Sequence, residues 1–306
     1  MMWKAYRVVF KLRSPMHIGC GKAGNVQRTR PYVTGRVFWG ALTMRLTRDA
    51  TNGPATNSKQ YEEFGEKVHN QLAYTYFYPA IACAAAKQFA QSKNNSEETQ
   101  NNHPDYQIAF SWQNESLFRR CFLSSYASTA LVYPQQAADE GLLHEVEFIS
   151  PRTLDTGKQV YLIGYVFEKE GCNLKWKDAC KRLQMGGERG YGWGMVELVC
   201  NPCEITHSDL FNGQAQWQEE NGAIAINVAS CDNLTEGQLL AHTSSANLLA
   251  QGEIEPLVGR EWRSNESTNR YAGQYVSFCD LCWIPGSAVA QNSNFAIEEF
   301  GIWQLL

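Results

Sequence analysis

The 306-residue sequence contains no apolar run approaching the roughly 18 residues of a membrane-spanning helix. Its N-terminus, MMWKAYRVVFKLRSP, alternates apolar and basic residues where a secretory signal would place an unbroken apolar stretch. These two absences argue against a membrane protein and a secreted one, so the expectation is cytoplasmic. Excess positive charge is missing as well: 27 Lys and Arg stand against 31 Asp and Glu, a formal net charge of −4. That excludes a generally basic nucleic-acid coat, but a local binding face needs only a cluster of cations. The GxxxxGK[ST] spacing of a nucleotide-binding P-loop is also absent. Against these gaps, 44% hydrophobic residues suffice for a substantial globular core.

Most of the ten cysteines are scattered singly in apolar settings, as in AIACAAA, and read as core thiols. Two CxxC pairs exist, Cys200/Cys203 and Cys279/Cys282, and four thiolates so spaced could close a tetrahedral zinc site if the fold joined them. The long separation of the pairs argues against it, and FCDLCWIPG reads equally as a buried strand.

Along the chain, Ala5 to Arg13 places Tyr6, Val8, Phe10 and Leu12 on one face and Arg7, Lys11 and Arg13 on the other, the pattern of a half-buried strand. SPMHIGCGKAGN then breaks regularity. TGRVFWGALTMRLTRD restores it as a helix with Val37, Phe38, Ala41, Leu42 and Leu46 inward and Arg45 and Arg48 on or near the other side. The tract from Gln91 to Asp105 has no apolar content and reads as an insertion without chemistry. LLHEVEFISPRTLDTGKQVYLIGYVFEKEG reads as two strands of a hairpin turning at Asp155–Lys158. NLKWKDACKRLQM follows as an amphipathic helix, then a glycine loop and the short strand MVELVC. This order implies an α+β fold, ferredoxin-like, with helices on one face of an antiparallel sheet, as one unit or two.

The glycine loop, QMGGERGYGWGMV, is the strongest functional signal. Gly186, Gly187, Gly190, Gly192 and Gly194 would let backbone N–H groups approach phosphates, Arg189 could fork onto one, and Tyr191 or Trp193 could stack on a base. The alternative is a flexible helix-to-strand connection with core aromatics. NVQRTRPYVTGR sets Arg28, Arg30 and Arg36 around Tyr32 as a second basic and aromatic patch. Arg45 on the first helix and Arg152 and Lys158 at the hairpin turn complete the candidate contacts. VGREWRSNESTNRYAG brings Arg260, Arg263 and Arg270 near Trp262 and Tyr271, suited to RNA or to a neighbouring subunit.

Three separated segments, HIGCG after the first strand, RPYVTGRVFWGALTMRL into the first helix, and GGERGYGWGMVEL between helix and strand, resemble the RAMP superfamily of CRISPR-associated proteins in order and spacing. The segment EFISPRTLDTGKQVYLIGYVFEKEG is similar to a region of its type III members. The resemblance implies a ferredoxin-like RNA-binding region over residues 1–200. Residues 201–306 show no resemblance and form a β-rich extension or a second, degenerate unit. It further implies guide RNA (crRNA) as ligand, the large and backbone subunits of an effector complex as partners, target RNA as an indirect contact, and no cofactor.

Family members that process guide precursors without metal use a histidine on or near the first helix, yet VFWGALTMRLTR has none. His17 is the nearest candidate and reads more naturally as a turn or packing residue; His69 is expected on a solvated helix face, and His103 lies in the polar tract. Backbone subunits that cut target RNA carry an aspartate in a loop that here, CGKAGNVQRTRPYVTGRVFW, contains no acid. The reading is therefore a non-catalytic subunit similar to the Csx-ten or Cas-five type, which caps type III complexes at the five-prime handle of the guide. The alternatives are a processing endoribonuclease and a guide backbone subunit.

Overall fold

The computed structural model describes residues 2–83, 106–110, 112–133, 137–228, 236–263, 275–290 and 293–306. The polar tract 91–105, with His103, and Arg270 and Tyr271 lie outside them.

The fold is α+β. Strand β1 (Trp3–Leu12) leads through a hairpin of β2 (Gly19–Ala23) and β3 (Val26–Thr29) into helices α1 (Gly35–Thr51) and α2 (Ser58–Gln71). Then come β4 (Leu72–Tyr74), β5 (Tyr78–Ala82), β6 (Tyr106–Ile108), α3 (Glu115–Phe122), β7 (Leu123–Ser128), and the short pair β8 (Leu131–Val132) and β9 (Ala137–Ala138). Strands β10 (His144–Ile149) and β11 (Val160–Lys169), helix α4 (Trp176–Cys180) and strands β12 (Val196–Leu198) and β13 (Cys203–Glu204) complete the first two-thirds.

The main sheet runs β12-β1-β11-β5-β6, with β13 prolonging the pairing of β1 and β4 that of β11, all antiparallel. With α1 and α2 between β1 and β4 and α4 between β11 and β12, this is the βαββαβ winding of a ferredoxin-like unit. The expected alternation of β1 is present: Tyr6, Val8, Phe10 and Leu12 are buried, and Val9 is buried on the opposite face with Ala80, Tyr106 and Ile163. Central β11 is buried continuously from Leu162 to Phe167, as a strand covered on both faces must be. On α1, Phe38, Ala41, Leu42 and Leu46 are buried as the period predicts, with Phe38 4.8 Å from Phe77.

A second sheet, β2-β3-β10-β7, joins β10 to β7 antiparallel and to β3 parallel. This corrects two sequence expectations. The two strands around Asp155–Lys158 exist but do not pair as a hairpin: β10 and β11 enter different sheets, and the connection is closed locally by the bridge Arg152–Gln159 and by the Thr153 N–H to the Lys158 carbonyl and the Val160 N–H to the Pro151 carbonyl. The segment SPMHIGCGKAGN is not wholly irregular either, since Gly19–Ala23 forms an edge strand with all five residues exposed, a position where no apolar alternation is required.

Beyond residue 204 the described chain is β-rich: β14 (Asp209–Leu210), β15 (Ala215–Glu220), β16 (Ala223–Val228), β17 (Glu236–Gln238), β18 (Thr243–Ser244), β19 (Ile254–Glu261), β20 (Tyr275–Trp283), β21 (Ala288–Ala290), β22 (Asn294–Ile297) and β23 (Trp303–Leu305). Eight of these form a sheet of order β14-β15-β16-β22-β23-β18-β20-β19. The apolar core continues from β1 to Trp303.

Polar contacts also tie the two parts together. Tyr78 Oη donates to the Leu240 carbonyl at 2.7 Å. Arg30 meets Glu255 Oε1 at 2.6 Å, and the buried His242 lies between Tyr76 Oη and the same carboxylate oxygen, 2.7 Å from each. No described helix is long and apolar enough to cross a membrane.

Candidate nucleic-acid interface

The loop from Met185 to Met195 lies along the segment that leaves β1. The Gly187 N–H donates to the His17 carbonyl at 2.8 Å and the Gly194 N–H to the Pro15 carbonyl at 2.7 Å, while the Arg13 N–H donates to Met195 O at 2.9 Å. The Gln184 amide closes the loop from inside, donating to the carbonyls of Trp193 (2.8 Å) and Arg189 (3.1 Å). Trp193 packs edge-on against Phe148 of β10 at 5.0 Å. HIGCG, α1 and the glycine loop thus meet at one place, with Arg189 Nη1 3.8 Å from Met44 Sδ on α1.

The glycines divide by task. Gly186 and Gly194 have φ of +87° and +77°, and a Cβ there would lie 2.5 Å from the His17 carbonyl and 1.9 Å from that of Met185. Both serve close backbone packing. The N–H groups of Gly187, Gly192 and Gly194 are engaged by the carbonyls of His17, Arg189 and Pro15, which assigns them to the fold rather than to a ligand. Gly190 and Gly192 face open space. Between them Tyr191 is 83% exposed, and Arg189 is exposed beside it. The outward offering of the loop is therefore an arginine and a tyrosine flanked by unobstructed backbone.

The arginine patch read from NVQRTRPYVTGR divides. Arg28 stays at the surface, 3.5 Å from Glu147. Arg30, only 13% exposed, is held by Glu255. Arg36 is 2.6 Å from Glu261 with its guanidinium 4.5 Å from the Phe300 ring centre. Tyr32 is a core residue in contact with Tyr76, Tyr78, Phe110 and Trp112. Arg30, Tyr32 and Arg36 thus bind the two parts of the protein, because each arginine has an acidic partner on β19 that local sequence does not reveal. Arg45 is paired with Asp49 one turn on. Arg152 and Lys158 are exposed on the separate β10–β11 turn, where Arg152 donates to the Gly157 carbonyl at 3.0 Å.

Glu147 is the organising residue that the sequence did not single out. Its carboxylate accepts the Thr29 N–H at 2.9 Å and faces Arg28 and Arg119, while its backbone carbonyl accepts from His17 Nδ1 at 2.7 Å. Its signal was weak because its partners come from three distant segments. His17 is 6% exposed, with its ring against Gly19 and Gly187. His69, expected on a solvated face, instead stacks on Trp39 at 5.1 Å and meets Phe300 edge-on at 4.7 Å; burial, reinforced by the Arg36 charge, pushes its pKa down to about 4.

Cys200 and Cys203 adjoin the main sheet, with Cys203 opposite Arg7, whereas Cys282 is buried in the C-terminal sheet between Ser244 and Glu255. The side chain of Cys279 lies outside the described residues, and among those described no group of three or more His, Cys, Asp or Glu side chains could hold a metal.

No family model matches the sequence and no curated protein matches it. Similar solved structures include a chain of the type III-B Cmr-beta complex bound to cognate target RNA, at 12% identity over 65% of this chain and 96% of that one, with a TM-score of 0.39. A chain of the same kind of complex with target RNA and AMPPnP is 10% identical over 93% of this chain and 86% of that one, TM-score 0.44. Cmr6 from Pyrococcus furiosus is 12% identical over 65% and 99%, TM-score 0.29. At these values, residue roles, ligands and partners rest on this chain's own geometry.

Proposed function

We propose that the chain is a non-catalytic RNA-binding subunit of a type III CRISPR effector ribonucleoprotein, holding the five-prime handle of the guide RNA and capping the complex. One observation carries the reading: the three segments whose order resembles the RAMP superfamily are far apart in sequence, yet they converge where Arg189 and Tyr191 project into solvent. Arg189 supplies a forked cation for a phosphate and Tyr191 a face for a base, the pairing that single-stranded RNA recognition uses. Partners in this reading are the guide RNA, the large subunit and the backbone subunits, with target RNA reached through the guide.

The absence of catalysis is part of the proposal. A general base must reach the 2′-hydroxyl it deprotonates. His17 is buried under the loop with Nδ1–H committed to the Glu147 carbonyl, an arrangement that supports a role in docking the loop. Incubating the purified chain with labelled repeat RNA, in EDTA and in magnesium, tests this. Binding without a cut is expected; cleavage at one site, abolished by His17→Ala, would replace the cap with a processing enzyme.

A further inference from the structure

An open groove of about 1180 Å³ runs along the helical face of the ferredoxin-like unit, beyond the glycine loop. Six cations line it: Arg45 and Arg48 from α1, Lys67 from α2, Lys175 before α4, and Lys181 and Arg182 after it. Only two acids, Asp49 and Asp178, join them. In a chain of net charge −4, that is a strong local concentration of positive charge.

Several of these cations are already engaged. Asp49 holds Arg45 and, at 2.8 Å, Arg182; Asp178 holds Lys181 at 2.7 Å; Lys67 meets Glu63 at 2.7 Å. Arg48 and Lys175 make no ion pair among the described residues, and both are exposed. The groove is thus built and braced by internal pairs, with two cations left to face a ligand.

Its position indicates the ligand. Arg189 of the glycine loop rests on Met44, and Arg48 lies four residues further along α1, on the same face and about 6 Å along the axis. A polyanion leaving Arg189 and Tyr191 along this face therefore reaches Arg48, and Lys175 lines the same groove.

We propose that this groove is a second RNA-backbone site, taking the nucleotides of the same strand that continue from the glycine loop. The inference rests on the RNA-binding reading above. An acidic protein segment would satisfy the charges, but the continuity with an exposed tyrosine suited to base stacking favours a nucleic acid.

The test measures polyuridylate binding by the full chain against salt concentration. For single strands the slope of log affinity against log salt changes by about 0.7 per phosphate contact. Arg48→Gln with Lys175→Gln should lower the slope by about 1.4, and Arg189→Ala by about 0.7. Restoring Lys at position 48 should recover one contact. Thermal unfolding of the exposed-site variant should match wild type.

An unchanged slope in the double variant, beside a lowered one in Arg189→Ala, overturns the groove and leaves the glycine loop standing. The reverse pattern keeps the groove and removes Arg189. Wild type that fails to bind, or binds without salt dependence, overturns both. Loss of poly-L-glutamate binding in the double variant with polyuridylate binding intact would assign the groove to an acidic protein and refute the proposal.

Discussion

Replacing Glu255 with glutamine is expected to cost about 3 kcal/mol of stability at neutral pH, because one carboxylate oxygen serves two largely buried partners. Arg30 Nη1 and His242 Nε2 lie 2.6 and 2.7 Å from Glu255 Oε1, and His242 is fully buried. With Glu255 ionised, His242 is neutral, donating from Nε2 and accepting the Tyr76 hydroxyl at Nδ1. Burial alone would raise the Glu255 pKa, but the hydrogen bonds from His242 and Arg30 and the Arg30 charge outweigh it and hold the pKa at about 2, against an ordinary 4.5. At about 1.36 kcal/mol per unit, this depression corresponds to roughly 3 kcal/mol. Breaking one side of a buried pair typically costs a similar amount, about 3–5 kcal/mol. Since the folded pKa is depressed, the contribution is complete above pH 4.5 and fades as the pH falls toward 2. Urea unfolding of wild type and Glu255→Gln at a series of pH values should show a gap that is widest at neutral pH and narrows below 4.5. Arg30→Met combined with Glu255→Leu should cost less than the two single changes added, since no lone charge remains. A gap of less than about 1 kcal/mol at pH 7, the size of an exposed pair, or one that acid leaves unchanged, would show that Glu255 is not a buried anchor for Arg30 and His242.

Gly194→Ala should destabilise by at least about 1–2 kcal/mol from the left-handed backbone alone, with the clash on Met185 O added, whereas Gly190→Ala in open space should stay within about 0.5 kcal/mol; equal losses in thermal unfolding would contradict the division of the glycines. His69, whose pKa is lowered from 6.5 to about 4, makes acid destabilising: the unfolded chain takes up a proton over that window while the folded one does not. The stability of wild type should therefore fall by up to about 3 kcal/mol more than that of His69→Phe between pH 6.5 and 4, and parallel pH profiles would exclude the effect. His17→Ala should leave RNA uncut, as wild type does, while loosening the glycine loop; gel assays and amide hydrogen exchange over residues 185–195 read the two outcomes.

Patterning identifies β1 and α1 because each buries a face that its own residues announce, Tyr6 to Leu12 at period two and Phe38 to Leu46 at helical spacing, and β11 because its apolar run is continuous. What could not be read is whatever depends on a distant partner. Arg30 and Arg36 look like surface cations until Glu255 and Glu261, both 225 residues away, are placed beside them. Strand β10 alternates like half of a hairpin, and only tertiary pairing with β7 and β3 removes it from β11. His69 sits in a polar stretch, EKVHNQL, and its aromatic neighbours Trp39 and Phe300 come from α1 and from near the C-terminus. The glycine loop was legible as a loop, but not which of its amides the fold would use. The basic groove was not legible because its cations come from three segments, α1, α2 and the chain around α4, that only the fold brings together.

Contact between the glycine loop and RNA is what the proposed function stands on. Ultraviolet crosslinking of the full chain to a repeat-derived single strand, followed by proteolysis and mass spectrometry, addresses it directly. The exposed ring of Tyr191 should place the crosslinked nucleotide on the peptide spanning residues 183–195, and Tyr191→Ala should remove that adduct while the fold persists. Crosslinks confined to the C-terminal sheet, with none on the loop peptide, would mean that the loop does not touch RNA; a loop adduct unchanged by Tyr191→Ala would remove Tyr191 as the stacking residue.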